Sequence, residues 1–226
     1  MNIWLKQLHP IIGFIMAIYL FSGGSAHAGE PDIISVGEFS QNRLDQWLPK
    51  QFVNETQYSL AMVDKDRVLK AVSRNSASGL IKKIRVDLET HPFLNWRWRI
   101  GNRLTGIFDE KQKSGDDYAA RIYVVVSGGI AIWNTRALNY VWAQNSPKGD
   151  TWPNAFAKSN AVMMALRSSE APISVWQTEK RNIREDFKKL FGKQIRYIDA
   201  VVLMSDTDNT KKQVTAYYGD IYFSMQ

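Results

Sequence analysis

The segment KSGDDYAARIYVVV (residues 113–126) sets two adjacent carboxylates, Asp116 and Asp117, ahead of an apolar run that carries one cation, Arg121. In an extended chain, side chains alternate between faces. Tyr118, Ala120, Ile122, Val124 and Val126 then share a core face, while Ala119, Arg121, Tyr123 and Val125 share the other. Asp117 has the parity of Arg121, but four residues of strand separate the two by roughly 13 Å, which forbids a direct pair. Arg121 therefore needs an acid from another strand, such as Asp199 or Asp220, or a ligand. In the bland reading, Asp116 or Asp117 caps a turn after Ser114-Gly115. In the functional reading, the two acids and Arg121 rim a polar cleft.

A second acidic group, DTDNT (residues 206–210), follows the apolar run IRYIDAVVLM. Asp206, Asp208 and Asn209 offer several oxygens from one tight loop, as a hard cation such as calcium requires, and Asp116 or Asp117 would complete the set. No other cofactor is expected. An EF-hand is excluded, because Lys211 stands where the loop needs glycine and Tyr217 where it needs glutamate. The alternative is a hairpin loop whose Asp, Asn and Thr side chains bond their own backbone. Should the two acidic groups meet, paired carboxylates could hydrolyse a glycosidic bond. Tyr, Lys and Arg could serve a polysaccharide lyase without histidine.

Aromatic side chains suit stacking on sugar rings, and the chain has eight tryptophans. Trp96 and Trp98 share the apolar parity of LNWRWRI and are expected in the core. Trp133, beside Gly-Gly, and Trp152, beside proline, are expected in loops as exposed ligand contacts. Elimination narrows the chemistry further. There is no cysteine, which removes disulfides, thiolate metal sites and thiol nucleophiles. Of three histidines, only His91 lies beyond the amino-terminal segment, too few for a multi-histidine zinc site; in THP it reads as a solvated loop residue.

These groups must be held by strands. IISVGEF, YSLAMV, DRVLKAVS, LIKKIRVDL, LNWRWRI, YAARIYVVV, LNYVWA, NAVMMAL, IRYIDAVVLM and VTAYYGDIYF are short and β-rich, with turn signals between them. They predict a mainly β protein: an antiparallel two-layer, jelly-roll-like sandwich. One helix is expected in RNIREDFKKLFG, with Asn182 as cap, Glu185 three residues on, the stripe Ile183, Phe187, Leu190 and Phe191, and Gly192 as its stop. The amino terminus reads as a signal peptide over residues 1–28. Lys6 precedes the uncharged run Ile11–Phe21, and Ala26 and Ala28 suit cleavage before Gly29. Residues 29–226 would then form one soluble domain with no transmembrane segment, in the periplasm or outside the cell. The net charge of +7, or +6 without Lys6, favours anionic glycans or envelope surfaces. The basic residues are scattered without a nucleic-acid motif, so nucleic acid is not an expected partner.

Taken in order, LNWRWRI, KSGDDYAARIYVVV, LNYVWA, RNIREDFKKLFG and MSDTDNTKKQVTAYYGDIYF resemble the domain of unknown function 3047 family of exported bacterial proteins, over nearly all of the chain past the signal. The resemblance implies no activity. The closing YYGDIYF is also similar to the last strand of jelly-roll carbohydrate-binding modules. The expectation is a module binding a glycan or other anionic envelope component through Asp116, Asp117, Arg121, Trp133, Trp152, Asp206, Asp208 and Asn209. The alternatives are a polysaccharide-active enzyme and a structural envelope protein.

Overall fold

The computed structural model describes residues 32–226 apart from Ile107. The signal segment and its cleavage point lie outside the described residues. Fourteen strands run in the order β1 (Ile33–Gly37), β2 (Leu48–Val53), β3 (Gln57–Val63), β4 (Asp66–Arg74), β5 (Ala77–Asp87), β6 (Phe93–Ile100), β7 (Arg121–Val126), β8 (Arg136–Trp142), β9 (Thr151–Asn154), β10 (Lys158–Arg167), β11 (Gln177–Asn182), β12 (Tyr197–Asp206), β13 (Gln213–Tyr218) and β14 (Ile221–Ser224). They form two seven-stranded sheets. The first has the order β1-β14-β6-β13-β4-β3, with β11 on the other edge of β6; the second is β2-β5-β12-β7-β8-β10-β9. The expected two-layer β-sandwich is the observed fold. All pairings are antiparallel except β8 with β10, where Ala161 faces Ala137 and Ala165 faces Val141 in parallel. Parallel neighbours need a long return, and the segment between these two strands supplies it, including β9.

The core lies between the sheets. Leu94, Trp96, Trp98 and Ile100 of β6 face Ile122 and Val124 of β7, Leu138 and Tyr140 of β8, and Val201 and Leu203 of β12. Trp96 meets Trp98 edge-on at 5.6 Å between ring centres, a geometry that puts positive ring edges against a negative face. Helix α1 (Ile183–Phe191) follows its sequence signals. Asn182 accepts a hydrogen bond from the Glu185 amide at 3.1 Å, and Gly192 ends the helix at φ 65°. Ile183 and Phe187 are buried against the core.

Three strands lack the expected pattern. β2 contains Pro49 and β9 contains Pro153, and both are edge strands, where a missing N–H leaves no ladder bond unmade. β11, QTEKRN, is polar yet pairs along its whole length with β6, placing Glu179 opposite Trp96. Glu179 accepts from the Trp98 indole at 3.0 Å and from Arg167 at 2.5 Å, so charge there serves an internal bond. The run VTAYYGDIYF divides at Gly219, whose amide bonds Arg97 O at 2.9 Å. A Cβ there would meet the Arg97 side chain at 2.6 Å, so a larger residue would have to push that side chain aside. β13 and β14 then share one edge of β6.

Candidate functional site

The side of the second sheet that faces away from the core is also apolar. Across it, Ile81 of β5, Val202 of β12, Tyr123 of β7 and Asn139 of β8 form one row, and Gly79, Met204 and Arg121 form the next. Ala77, Ile81, Tyr123, Val125, Ala200, Val202 and Met204 make a separate apolar cluster there, with Phe52 and Ala137 against it. Both faces of β7 and β12 are therefore buried. Sequence parity identified one of them.

One end of this outer face is covered. The chain ahead of β7 departs from strand geometry at residues 117–120, which takes Tyr118 out of the expected core face. Tyr118 lies instead with Val141, Ala143, Trp152, Met163 and Ala165 on the outer face. Arg121 is buried beneath this cover at 0% exposure. Its guanidinium stacks 4.7 Å from the Tyr118 ring and 5.5 Å from the Tyr123 ring. Arg121 Nη2 donates to Asp206, which lies diagonally across the β7–β12 ladder, while Nε and Nη1 have no partner among the described residues. The expected partners are engaged elsewhere. Asp199 accepts from Ser127 N at 2.8 Å and Arg85 at 3.1 Å, and Asp220 accepts from Ser40 N at 2.8 Å.

The acids are the fasteners of that cover. Asp116 accepts from Asn154 Nδ2 at 3.0 Å. Asp117 accepts from the Asn209 amide at 3.2 Å, its side-chain Nδ2 at 3.1 Å and the Thr210 amide at 2.6 Å. It therefore caps a turn in another segment, not the one after Ser114-Gly115. Asp206 receives Tyr118 N at 3.2 Å besides Arg121. Glu110, which sequence reasoning overlooked, holds the far end by accepting from the amides of Gln144, Asn145 and Ser146. Burial pushes the Asp116 carboxyl up to about 6, against the pull of Arg121 and Asn154. Asp206 is raised by burial, which outweighs Arg121, and Asp208 by burial and by Asp117.

The two acidic groups do meet: oxygens of Asp117, Asp206 and Asp208 lie within 4.8 Å of one another. Among the described residues these three are the set that could hold a hard cation. Asn209, expected among the ligands, turns its Nδ2 toward Asp117 and Asp208 and so acts as a donor to the carboxylates. The loop that carries it passes from β12 in one sheet to β13 in the other and is a crossover, not a hairpin. Asp116, Asp117 and Asp206 are closed to solvent, so the expected open acidic cleft is absent here. Trp152 is buried as well, because the alternation of β9 turns Trp152 and Asn154 inward. His91 is buried too, with Nδ1 2.9 Å from Thr90 Oγ1, and is not a solvated loop residue.

Beside the strap the outer face is cut by a narrow groove, whose floor side chains are themselves largely buried. Its floor is Ile81, Gly79, Val202, Tyr123, Val125 and Ala137, and Phe52, Lys50, Asn139, Asn160 and Asn154 stand along it. Asn154 joins the parts: its Nδ2 holds Asp116 while its Oδ1 accepts from Phe156 and Ala157 N. At the rim, the loop GGIAIW exposes Ile130 fully and Trp133 at 64%. Asn160 Nδ2 ties the Trp133 carbonyl to the groove at 3.2 Å. Trp133 thus reaches solvent, on a loop whose backbone is joined to the groove through Asn160. β2 and β12, which frame the groove with Phe52 and Val202, signalled it only by apolar residues on both parities.

Residues 45–222 match the family described as Protein of unknown function (DUF3047). The chain belongs to that family. No curated protein matched the sequence. Among solved structures, the DUF3047 chain is similar to a family 30 carbohydrate-binding module of Clostridium thermocellum, at 8% identity and TM-score 0.48, covering 86% of this chain and 98% of that one. A family 11 module of the same organism gives 9% identity and TM-score 0.45, with 85% and 97% covered. The glycoside hydrolase domain of Endo-D from Streptococcus pneumoniae R6 gives 8% and 0.40, with 80% of this chain but 22% of that one covered. At such identities the likeness concerns the fold alone.

Proposed function

We propose that this DUF3047 protein is a non-catalytic binding protein of the cell envelope that holds a glycan in the groove on the outer face of the second sheet. One observation carries the reading: on the face of the second sheet that points away from the core, an apolar strip contributed by β2, β5, β12, β7 and β8 meets solvent in a narrow groove beside the acid-fastened strap, with Phe52 and Ala137 half-buried along it. Apolar surface is costly to leave in water, and such concave strips with a few polar groups are where ligands bind. Phe52 in the groove and the exposed Trp133 on the adjoining loop offer rings to the C–H faces of sugars. The half-buried Asn160 directs its Nδ2 group to a backbone carbonyl, so its Oδ1 atom serves as an acceptor for a sugar hydroxyl. Binding is favoured over catalysis because Asp116, Asp117 and Asp206 are buried and already committed to protein donors. The amino-terminal signal reading supports export.

The test is a glycan array with the full chain, followed by titration of the best ligand against Trp133→Ala and Asn160→Ala. Each variant is expected to weaken binding about tenfold or more, the loss typical of one ring or one well-placed polar contact. Equal affinity in both variants, or reducing-sugar release by the wild-type protein, would refute the reading.

A further inference from the structure

The polar lining of the groove is unbalanced in charge. Among the described residues Lys50 is its one cation and no Asp or Glu lines it; the other polar groups are those of Asn139, Asn154, Asn160, Thr135 and the Tyr123 hydroxyl. Lys50 forms no ion pair among the described residues. Its Nζ stands 6.0 Å from the centre of the Phe52 ring, at the edge of the apolar floor. Asp45 and Glu55 line a separate cleft that Lys50 also borders, and neither lies within ion-pair distance of it. Opposite Lys50 on β5 is Gly79, so no side chain from that position stands between the ammonium group and the groove. A Cβ at Gly79 would meet Leu203 O at 2.8 Å, which keeps the position a glycine.

We infer that the groove selects an acidic saccharide, one sugar carboxylate of which pairs with Lys50 while the C–H face of the neighbouring ring lies against Phe52. This rests on the glycan reading above and adds the charge of the ligand. A half-buried ammonium bordered by apolar surface binds an anion more strongly than one in water, because fewer waters screen the pair. The absence of a carboxylate in the groove removes the group that would repel a uronate. The net charge of +7 draws such a ligand toward the protein at low salt.

The experiment is calorimetric titration of the full chain with uronic acid oligosaccharides of several linkages, each beside its methyl-esterified, uncharged counterpart. Free carboxylates are expected to bind about tenfold more tightly at low salt, with the advantage shrinking as salt rises above roughly 0.1 M. Lys50→Met should bring the acidic and esterified chains to similar affinity, and Lys50→Arg should restore most of the preference. β2 is an edge strand, and circular dichroism checks that both variants fold. If both forms bind wild type equally and Trp133→Ala weakens both, the charge inference falls and the glycan reading stands. If no oligosaccharide binds, or laurate binds in their place, both fall.

Discussion

Arg121 is enclosed with two of its three guanidinium nitrogens unbonded, and Asp206 is the charge that makes this tolerable. Removing one member of a buried pair strands the other, at about 3–5 kcal/mol. Arg121→Met is therefore expected to lower stability in denaturant titrations by that amount. Adding Asp206→Asn should recover part of the loss, and an additive double variant would show that the pair is not coupled. Asp116 sets a pH dependence of unusual sign. Its carboxyl, at about 6 in the fold against an ordinary 3.8, keeps a proton that the unfolded chain gives up. Stability from this group is complete below the unfolded value and is lost as pH rises through about 6. Melting temperature is thus expected to rise by roughly 2–4 °C between pH 7 and pH 5, for a change on the order of 1 kcal/mol. Asp116→Asn should flatten that slope; an unchanged slope in the variant would assign the effect to other groups.

At the level of elements, what could be read in advance depended on whether local periodicity or distant contact decided the outcome. The α1 cap is local: Asn182, Glu185 and Gly192 specify it within one turn of each end. Asn182→Ala should cost about 1 kcal/mol in chemical denaturation, and no change would mean that packing of Phe187 alone holds the helix. The core parity of β6 was equally legible, since Leu94, Trp96, Trp98 and Ile100 alternate cleanly. β2, β9 and β11 were not, because their membership is decided by partners far along the chain, and proline or charge masks it locally. The strap ahead of β7 shows the same limit. Asp116 and Asp117 stood out as chemically capable residues, but their partners Asn154, Asn209 and Thr210 are 38, 92 and 93 residues away. Only the folded chain shows that they fasten a cover. Glu110 carried no local signal for its three amide bonds.

On the scale of the whole molecule, a sandwich ordinarily buries one face of each sheet and gives the other to water. Here the second sheet is apolar on both faces, with the strap covering one end of the outer face and a narrow groove beside it. That asymmetry is what the proposed binding role requires, since the other sheet turns Arg97, Arg99 and Tyr217 outward around Trp176 in mutual stacking. The decisive measurement is nuclear magnetic resonance titration of the protein with the tightest-binding acidic oligosaccharide, following backbone and side-chain amide signals. Shifts should concentrate at Asn139, Asn160, Tyr123, Lys50 and the Trp133 indole, with Asp117 and Asn209 little changed. Shifts gathered instead around Arg97, Tyr217 and Trp176, or around the acidic strap, would place the ligand elsewhere and contradict the groove as the binding site.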